Sequence, residues 1–109
     1  MNAAISKIAS LNDALRKRGH GGRFFLTTGI QAMGQRALDE ILAKVRAYDM
    51  FTEDSDPRGE HSFGEITVKN RKIVWQISYY DRNLKNASPD PANPAVTCRL
   101  MKVMTADEI

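Results

Sequence analysis

The stretch Glu65-Ile66-Thr67-Val68-Lys69-Asn70-Arg71-Lys72-Ile73-Val74-Trp75-Gln76-Ile77-Ser78-Tyr79 decides the fold. Ile66 and Val68 alternate with Glu65, Thr67 and Lys69, and Ile73, Trp75, Ile77 and Tyr79 alternate with Lys72, Val74, Gln76 and Ser78. A period of two belongs to strands with one buried face, so residues 65–79 predict an antiparallel hairpin. With Asn70-Arg71 as the two-residue turn, Val68 faces Ile73 and Ile66 faces Trp75, and both apolar sets fall on one side. Trp75 is then expected beneath a helix.

Working outward, Leu38, Ile41, Leu42 and Val45 recur at helical spacing and predict a helix from about Gln35 to Tyr48. Residues 52–61, with Pro57 and Gly59 among polar side chains, form a loop. Farther upstream, Arg23-Phe24-Phe25-Leu26-Thr27-Thr28 stops at Gly29 and reads as a short buried strand beside one arm of the hairpin. Ile5, Ile8, Leu11 and Leu15 make one stripe of a helix from about Ala3 to Arg18, which ends where Arg16, Lys17 and Arg18 favour the negative end of its dipole and Gly19 can cap it. Downstream, residues 81–93 are a loop rich in proline. Asn93 and Pro94 suit a helix N-terminus, and Val96, Leu100 and Val103 predict a third helix. The expectation is α+β: a small antiparallel sheet of about three strands packed with three helices.

At 109 residues the chain is expected to be a single domain over 1–109, by the usual ~100–200 residues per domain, which disfavours an enzyme with separate cofactor and substrate lobes. With 42% hydrophobic and 27% charged residues it has globular rather than disordered composition. No apolar run approaches the ~18 residues of a membrane helix, and the N-terminus lacks the order of a signal peptide, so a cytoplasmic protein without membrane contact is expected. The single cysteine, Cys98, agrees with a reducing compartment and reads as a small core residue rather than a nucleophile. Sixteen Lys and Arg against thirteen Asp and Glu give +3, distributed unevenly. Residues 1–50 hold eight basic and four acidic groups, and residues 51–109 hold eight and nine. Such a field can steer a partner; it also serves plain solubility.

Two segments carry candidate chemistry. Asp56, Glu60 and His61 share a loop, and the hairpin register sets Ser62 opposite Tyr79, which brings His61 close to Tyr80 and Asp81. A His with carboxylates can act as a general base or hold a divalent metal in a small hydrolase. The structural alternative, which the missing nucleophile and oxyanion donors favour, is a His61–Asp81 hydrogen bond pinning two loops. No cofactor and no metal is assigned: the loop fails the calcium-loop template, and no phosphate-loop signature is present. Arg16, Lys17, Arg18 and Arg23 surround flexible glycines and can meet phosphates of a nucleic acid or a charged partner. As a helix terminus with a glycine cap, the same segment is explained except for Arg23. Met33, Met101 and Met104 read as core filling.

The phrases Leu11-Asn12-Asp13-Ala14-Leu15-Arg16, Gly22-Arg23 with Leu26-Thr27-Thr28-Gly29, Phe51-Thr52 followed by Asp56-Pro57 and Gly59-Glu60-His61, Tyr79-Tyr80-Asp81-Arg82, and Ser88-Pro89-Asp90-Pro91 resemble an uncharacterised family of small bacterial proteins. That family is largely alphaproteobacterial and often encoded on plasmids and other mobile elements. Arg58 and Ser62 depart from it, standing where an aromatic and an acidic residue are expected. The resemblance implies a setting rather than a reaction: a small accessory protein that occupies a surface on a host protein, such as an inhibitor of a defence nuclease complex of the anti-CRISPR or anti-restriction type. A nucleic-acid-binding module built on residues 16–23 is the alternative, and a metal-assisted hydrolase at His61 a third.

Overall fold

A computed structural model describes residues 3–109. In chain order the elements are α1 (Ala3–Arg18), β1 (Arg23–Leu26), α2 (Thr28–Gln31), α3 (Gln35–Ala47), β2 (Phe63–Val68), β3 (Arg71–Tyr80) and β4 (Cys98–Thr105), with single 3-10 turns at Pro94–Val96 and Ala106–Glu108. The chain is α+β, as its hydrophobic patterning predicts. Among the described residues the sheet has four strands in the order β1-β4-β3-β2. β1 runs parallel to β4, and the other pairs are antiparallel, so the sheet is mixed.

The hairpin forms with its register moved by two residues. Ile66 pairs with Ile73 and Gly64 with Trp75, and the turn is Lys69-Asn70, both with positive φ (52° and 66°). Those angles make the turn of the primed type that matches strand twist, and Asn tolerates the left-handed region better than Arg71 would. A shift of two leaves every side chain on its expected face. Gly64 is required opposite Trp75: a Cβ there would collide with the indole nitrogen. Trp75 is fully buried, edge-on to Tyr48 beyond the end of α3.

The largest departure is β4, which replaces the helix expected after Pro94. Asn93 does cap a turn, its side chain accepting from the Ala95 N–H at 3.0 Å, but only Pro94–Val96 follow as 3-10 helix. The residues that β4 turns inward are Arg99, Met101, Val103 and Thr105, all buried. Two of the four are polar, which hides the period of two and leaves Val96, Leu100 and Val103 to mimic a helical stripe. β4 then lies between β1 and β3, so β1 borders neither arm of the hairpin. The third helix is instead the short α2.

Leu15 from α1, Ile30 from α2 and Ala37, Ile41 and Val45 from α3 close over Val68, Ile73, Trp75, Ile77, Met101 and Val103 of the sheet, forming one core on one face. α1 ends as its sequence predicts: Gly19 at φ 67° donates to the Leu15 carbonyl and His20 to that of Ala14. The last residues are clamped by Glu108. Its carboxylate accepts from the Thr27 hydroxyl (2.6 Å), the Gly29 N–H (3.0 Å) and the Thr105 N–H and hydroxyl (both 2.8 Å).

These donors, the Thr27 hydroxyl foremost, pull the Glu108 carboxyl down to about 2 from its ordinary 4.5. A carboxyl depressed in the folded state contributes stability above its unfolded value and loses it as pH falls toward the folded one. The melting temperature is therefore expected to drop between pH 4.5 and 2, with Glu108→Gln less stable than wild type at pH 7 and its deficit shrinking through that window. Parallel melting curves for the two proteins would contradict the clamp.

Candidate functional site

Asn12 and Arg16 lie on the buried side of α1, one turn apart, and both are fully enclosed. Arg16 donates from Nε to the Val45 carbonyl (3.1 Å) and from one terminal nitrogen to that of Tyr48 (3.1 Å). It thus caps the C-terminal end of α3, where a cation complements the dipole. Its other terminal nitrogen meets Asp13 at 3.0 Å, and its guanidinium stands 5.2 Å from the ring centres of both Phe51 and Trp75. Of the four basic residues expected to contact phosphates or a partner, Arg16 is thereby withdrawn from the surface. Lys17, Arg18 and Arg23 remain exposed.

Asn12 uses its whole amide. Nδ2 donates to the Glu60 carbonyl (2.9 Å) and the Tyr79 hydroxyl (2.7 Å), and Oδ1 accepts from Arg99 Nε (2.7 Å). The Tyr79 hydroxyl in turn donates to Glu60 Oε1 at 2.8 Å. Burial above all pushes the Tyr79 phenol up to about 12, so it stays protonated and keeps that donor. Arg99 lies over the Tyr79 ring, donates to the Pro91 carbonyl, and is shifted downward by desolvation. Ser88 and Thr97 extend the contact, with their hydroxyls 2.7 Å apart and Thr97 donating to the Asp90 carbonyl (2.9 Å). Four of the five resembling phrases therefore meet in one buried polar network: Asn12, Glu60, Tyr79, and Pro91 through Arg99.

His61 sits at the rim of this network with φ 56°, after Gly59 at φ 73°. Its ring stacks on Phe51 at 4.1 Å, and Nδ1 lies 3.0 Å from Asp13 Oδ1 and 3.1 Å from Oδ2. Its Nε2 is 4.0 Å from Asp56, whose carboxylate also accepts the His61 N–H at 3.1 Å. Asp56, Glu60 and His61 are thus brought together, but the carboxylate that orients the imidazole is Asp13, not Asp81. With the register shifted, Ser62 lies opposite Ile77, accepting its N–H at 2.7 Å, so the strand end carrying Asp81 is carried past His61. Asp81 instead accepts from the Lys85 N–H at 3.0 Å within its own loop. That bond leads the contacts that hold its carboxyl below the ordinary value. Tyr80 points to the opposite face from Tyr79 and pairs with Cys98, which is itself only half-buried.

Chemically, the Asp13–His61 pair with a 32% exposed imidazole has the orientation of a general base. Among the described residues no group of three or more His, Cys, Asp or Glu side chains is placed to hold a metal ion. No helix among them is long and apolar enough to cross a membrane. Asn12, Asp13 and Arg99 were absent from the expected site. Asn12 carries the one legible signal, an amide on the apolar stripe between Ile8 and Leu15; Asp13 and Arg99 look like ordinary surface charges.

The sheet also carries exposed aromatics. Phe25, Lys102, Gln76 and Phe63 form a single row across all four strands on the face away from the helices. Phe25 is 51% and Phe63 40% exposed. On the helix side Phe24, 41% exposed, borders a cleft of about 330 Å³ beside the C-terminal turns of α1 and α3.

Comparison with curated proteins and with solved structures returns no match. The family profile of DUF3768, described as a protein of unknown function, matches residues 26–108. The match takes in the Glu60-His61 loop, Tyr79 and Arg99, and starts after α1 with its Asn12, Asp13 and Arg16. With about three quarters of its length matched, the chain belongs to the DUF3768 family of proteins of unknown function.

Proposed function

We propose that this chain is a non-catalytic binding protein that acts by occupying a surface on another protein. One observation carries the reading: the row with Phe25 and Phe63 at its ends, two large aromatics left open on a sheet face. Aromatic side chains are enriched at interaction surfaces, where a few anchors seated in partner pockets carry most of the binding energy. Supporting it, Asn12, Glu60 and Tyr79 spend their polar groups on one another and on Arg99. In the bacterial, mobile-element setting that the sequence resemblance implies, the partner is a cytoplasmic host protein. A defence nuclease complex inhibited in the anti-CRISPR or anti-restriction manner fits that role.

The test is capture and cross-linking from bacterial lysate, comparing wild type with Phe25→Ser/Phe63→Ser. Wild type is expected to retain a partner with nuclease activity and to lower that activity, and the variant to lose both while melting as wild type does. Equal capture and inhibition by the two proteins would overturn the reading. The nucleic-acid alternative keeps only Lys17, Arg18 and Arg23. It predicts duplex DNA binding that weakens linearly on a log–log salt plot, with a slope near ~−0.9 per phosphate neutralised. Binding of that kind, abolished by reversing those three charges, would displace the protein-partner reading; no binding at low salt is the result expected here.

A further inference from the structure

The cleft beside Phe24 has an apolar floor and a cationic rim. Phe24, Leu42 and Val45 line its base, and Lys17, Arg18 and Arg46 stand around it. No carboxylate is among the lining residues, and none of these three cations makes an ion pair or side-chain hydrogen bond among the described residues. Arg16, which also borders the cleft, is already neutralised by Asp13. At about 330 Å³ the space is at the lower end of the ~300–1,000 Å³ common for small-molecule sites, enough for an apolar side chain or two.

The geometry separates kinds of anion. A helix N-terminus offers a phosphate a convergent set of backbone N–H groups. Here both neighbouring helices bring their C-terminal turns, α1 through Lys17 and Arg18 and α3 through Arg46, so side chains are the donors and they are spread across two helices. That suits several separate carboxylates better than one phosphoryl group.

β1 adds a backbone component, because it is an edge strand. The Thr27 N–H donates to the Val103 carbonyl, toward β4. Successive residues of a strand alternate the side to which they turn their hydrogen-bonding groups, so Phe24 and Leu26 turn theirs to the free edge. The Leu26 carbonyl is taken by the Gln31 side chain at 2.8 Å, which leaves the Phe24 groups and the Leu26 N–H without a partner among the described residues and open to an added strand.

We propose that the cleft between α1, α3 and β1 receives an acidic segment of a partner protein, extended along the free edge of β1. An apolar side chain of the segment sits over Phe24 and Leu42, and its carboxylates meet Lys17, Arg18 and Arg46. This rests on the binding-protein reading and names the chemistry of the partner's segment.

The probe is a synthetic ten-residue peptide alternating Glu or Asp with Leu or Phe, titrated into the full chain labelled with nitrogen-15. Amide shifts are expected at Lys17, Arg18, Phe24, Leu26 and Arg46. Affinity is expected to fall about tenfold or more in Arg18→Glu/Arg46→Glu and in Phe24→Ser. The milder Lys17→Gln/Arg18→Gln/Arg46→Gln serves if charge reversal unfolds the protein. Absence of peptide binding, equal binding of the amide counterpart with Gln and Asn, or tighter binding of polyglutamate or an oligothymidylate at the same residues would overturn the proposal. Failure here is distinct from failure of the binding-protein reading. In that case the rim variants would still capture the lysate partner, and Phe25→Ser/Phe63→Ser would not.

Discussion

Trp75→Ala is expected to destabilise the protein by about 3–5 kcal/mol, the range for truncating a buried aromatic. The indole is fully buried at the centre of the sheet, between Val103 on β4 and Gly64 on β2. Its ring centre lies 5.5 Å from that of Tyr48 and 6.1 Å from that of Phe51, both edge-on, with the Arg16 guanidinium at 5.2 Å. Truncation removes the contacts with Tyr48, Phe51 and Arg16 at once, and Gly64 has no side chain with which to fill the gap. Small domains have only ~5–15 kcal/mol of net stability, so urea unfolding should show a large fall in midpoint. A loss below ~1 kcal/mol would contradict this packing. Gly64→Ala tests the same contact from the other side. Its Cβ would fall within 2.8 Å of three indole atoms, and a rigid ring cannot yield as a flexible chain end would, so a loss of about 1–3 kcal/mol is expected.

Sequence periodicity located what depends on pattern alone. The stripe Leu38, Ile41, Leu42, Val45 predicts a helix over Gln35–Tyr48, and α3 ends one residue short of that. The hairpin was legible too, but not its register, because Lys69-Asn70 and Asn70-Arg71 both supply a polar pair and parity favours neither. β4 was illegible for a different reason. A guanidinium at Arg99 faces inward because Asn12 and Pro91 receive it, and Asn12 lies eighty-seven residues away in sequence. The same holds at the candidate site: the loop carboxylates and His61 were visible as a local cluster, while Asp13 reaches His61 across forty-eight residues. Local spacing cannot report such a contact. It depends on how α1 lies against the loop, which the whole core determines.

Asn12 joins those distant pieces, and Asn12→Ala is expected to cost about 3–5 kcal/mol by leaving buried groups without partners. Arg99 Nε loses its acceptor, and the Glu60 carbonyl loses its donor. Arg99 is the costlier orphan, because its charge is desolvated and its remaining partners are the Pro91 carbonyl and the Tyr79 ring. Tyr79 keeps its own bond to Glu60 and so loses least. Asn12→Asp should recover part of the loss, since a carboxylate still accepts from Arg99 but donates to neither oxygen. Arg99→Met in the Asn12→Ala background removes the stranded charge. The double variant is then expected to be more stable than the sum of the two single losses implies, by well over the ~0.5 kcal/mol within which independent sites add. Strict additivity in urea unfolding would show that Asn12 and Arg99 do not act together. Because Phe25 and Phe63 stand on the other face of the sheet, partner capture by Asn12→Ala, measured where the variant is still folded, should match wild type. Loss of capture there would move the binding surface to the Glu60-His61 loop, which Asn12 holds against α1.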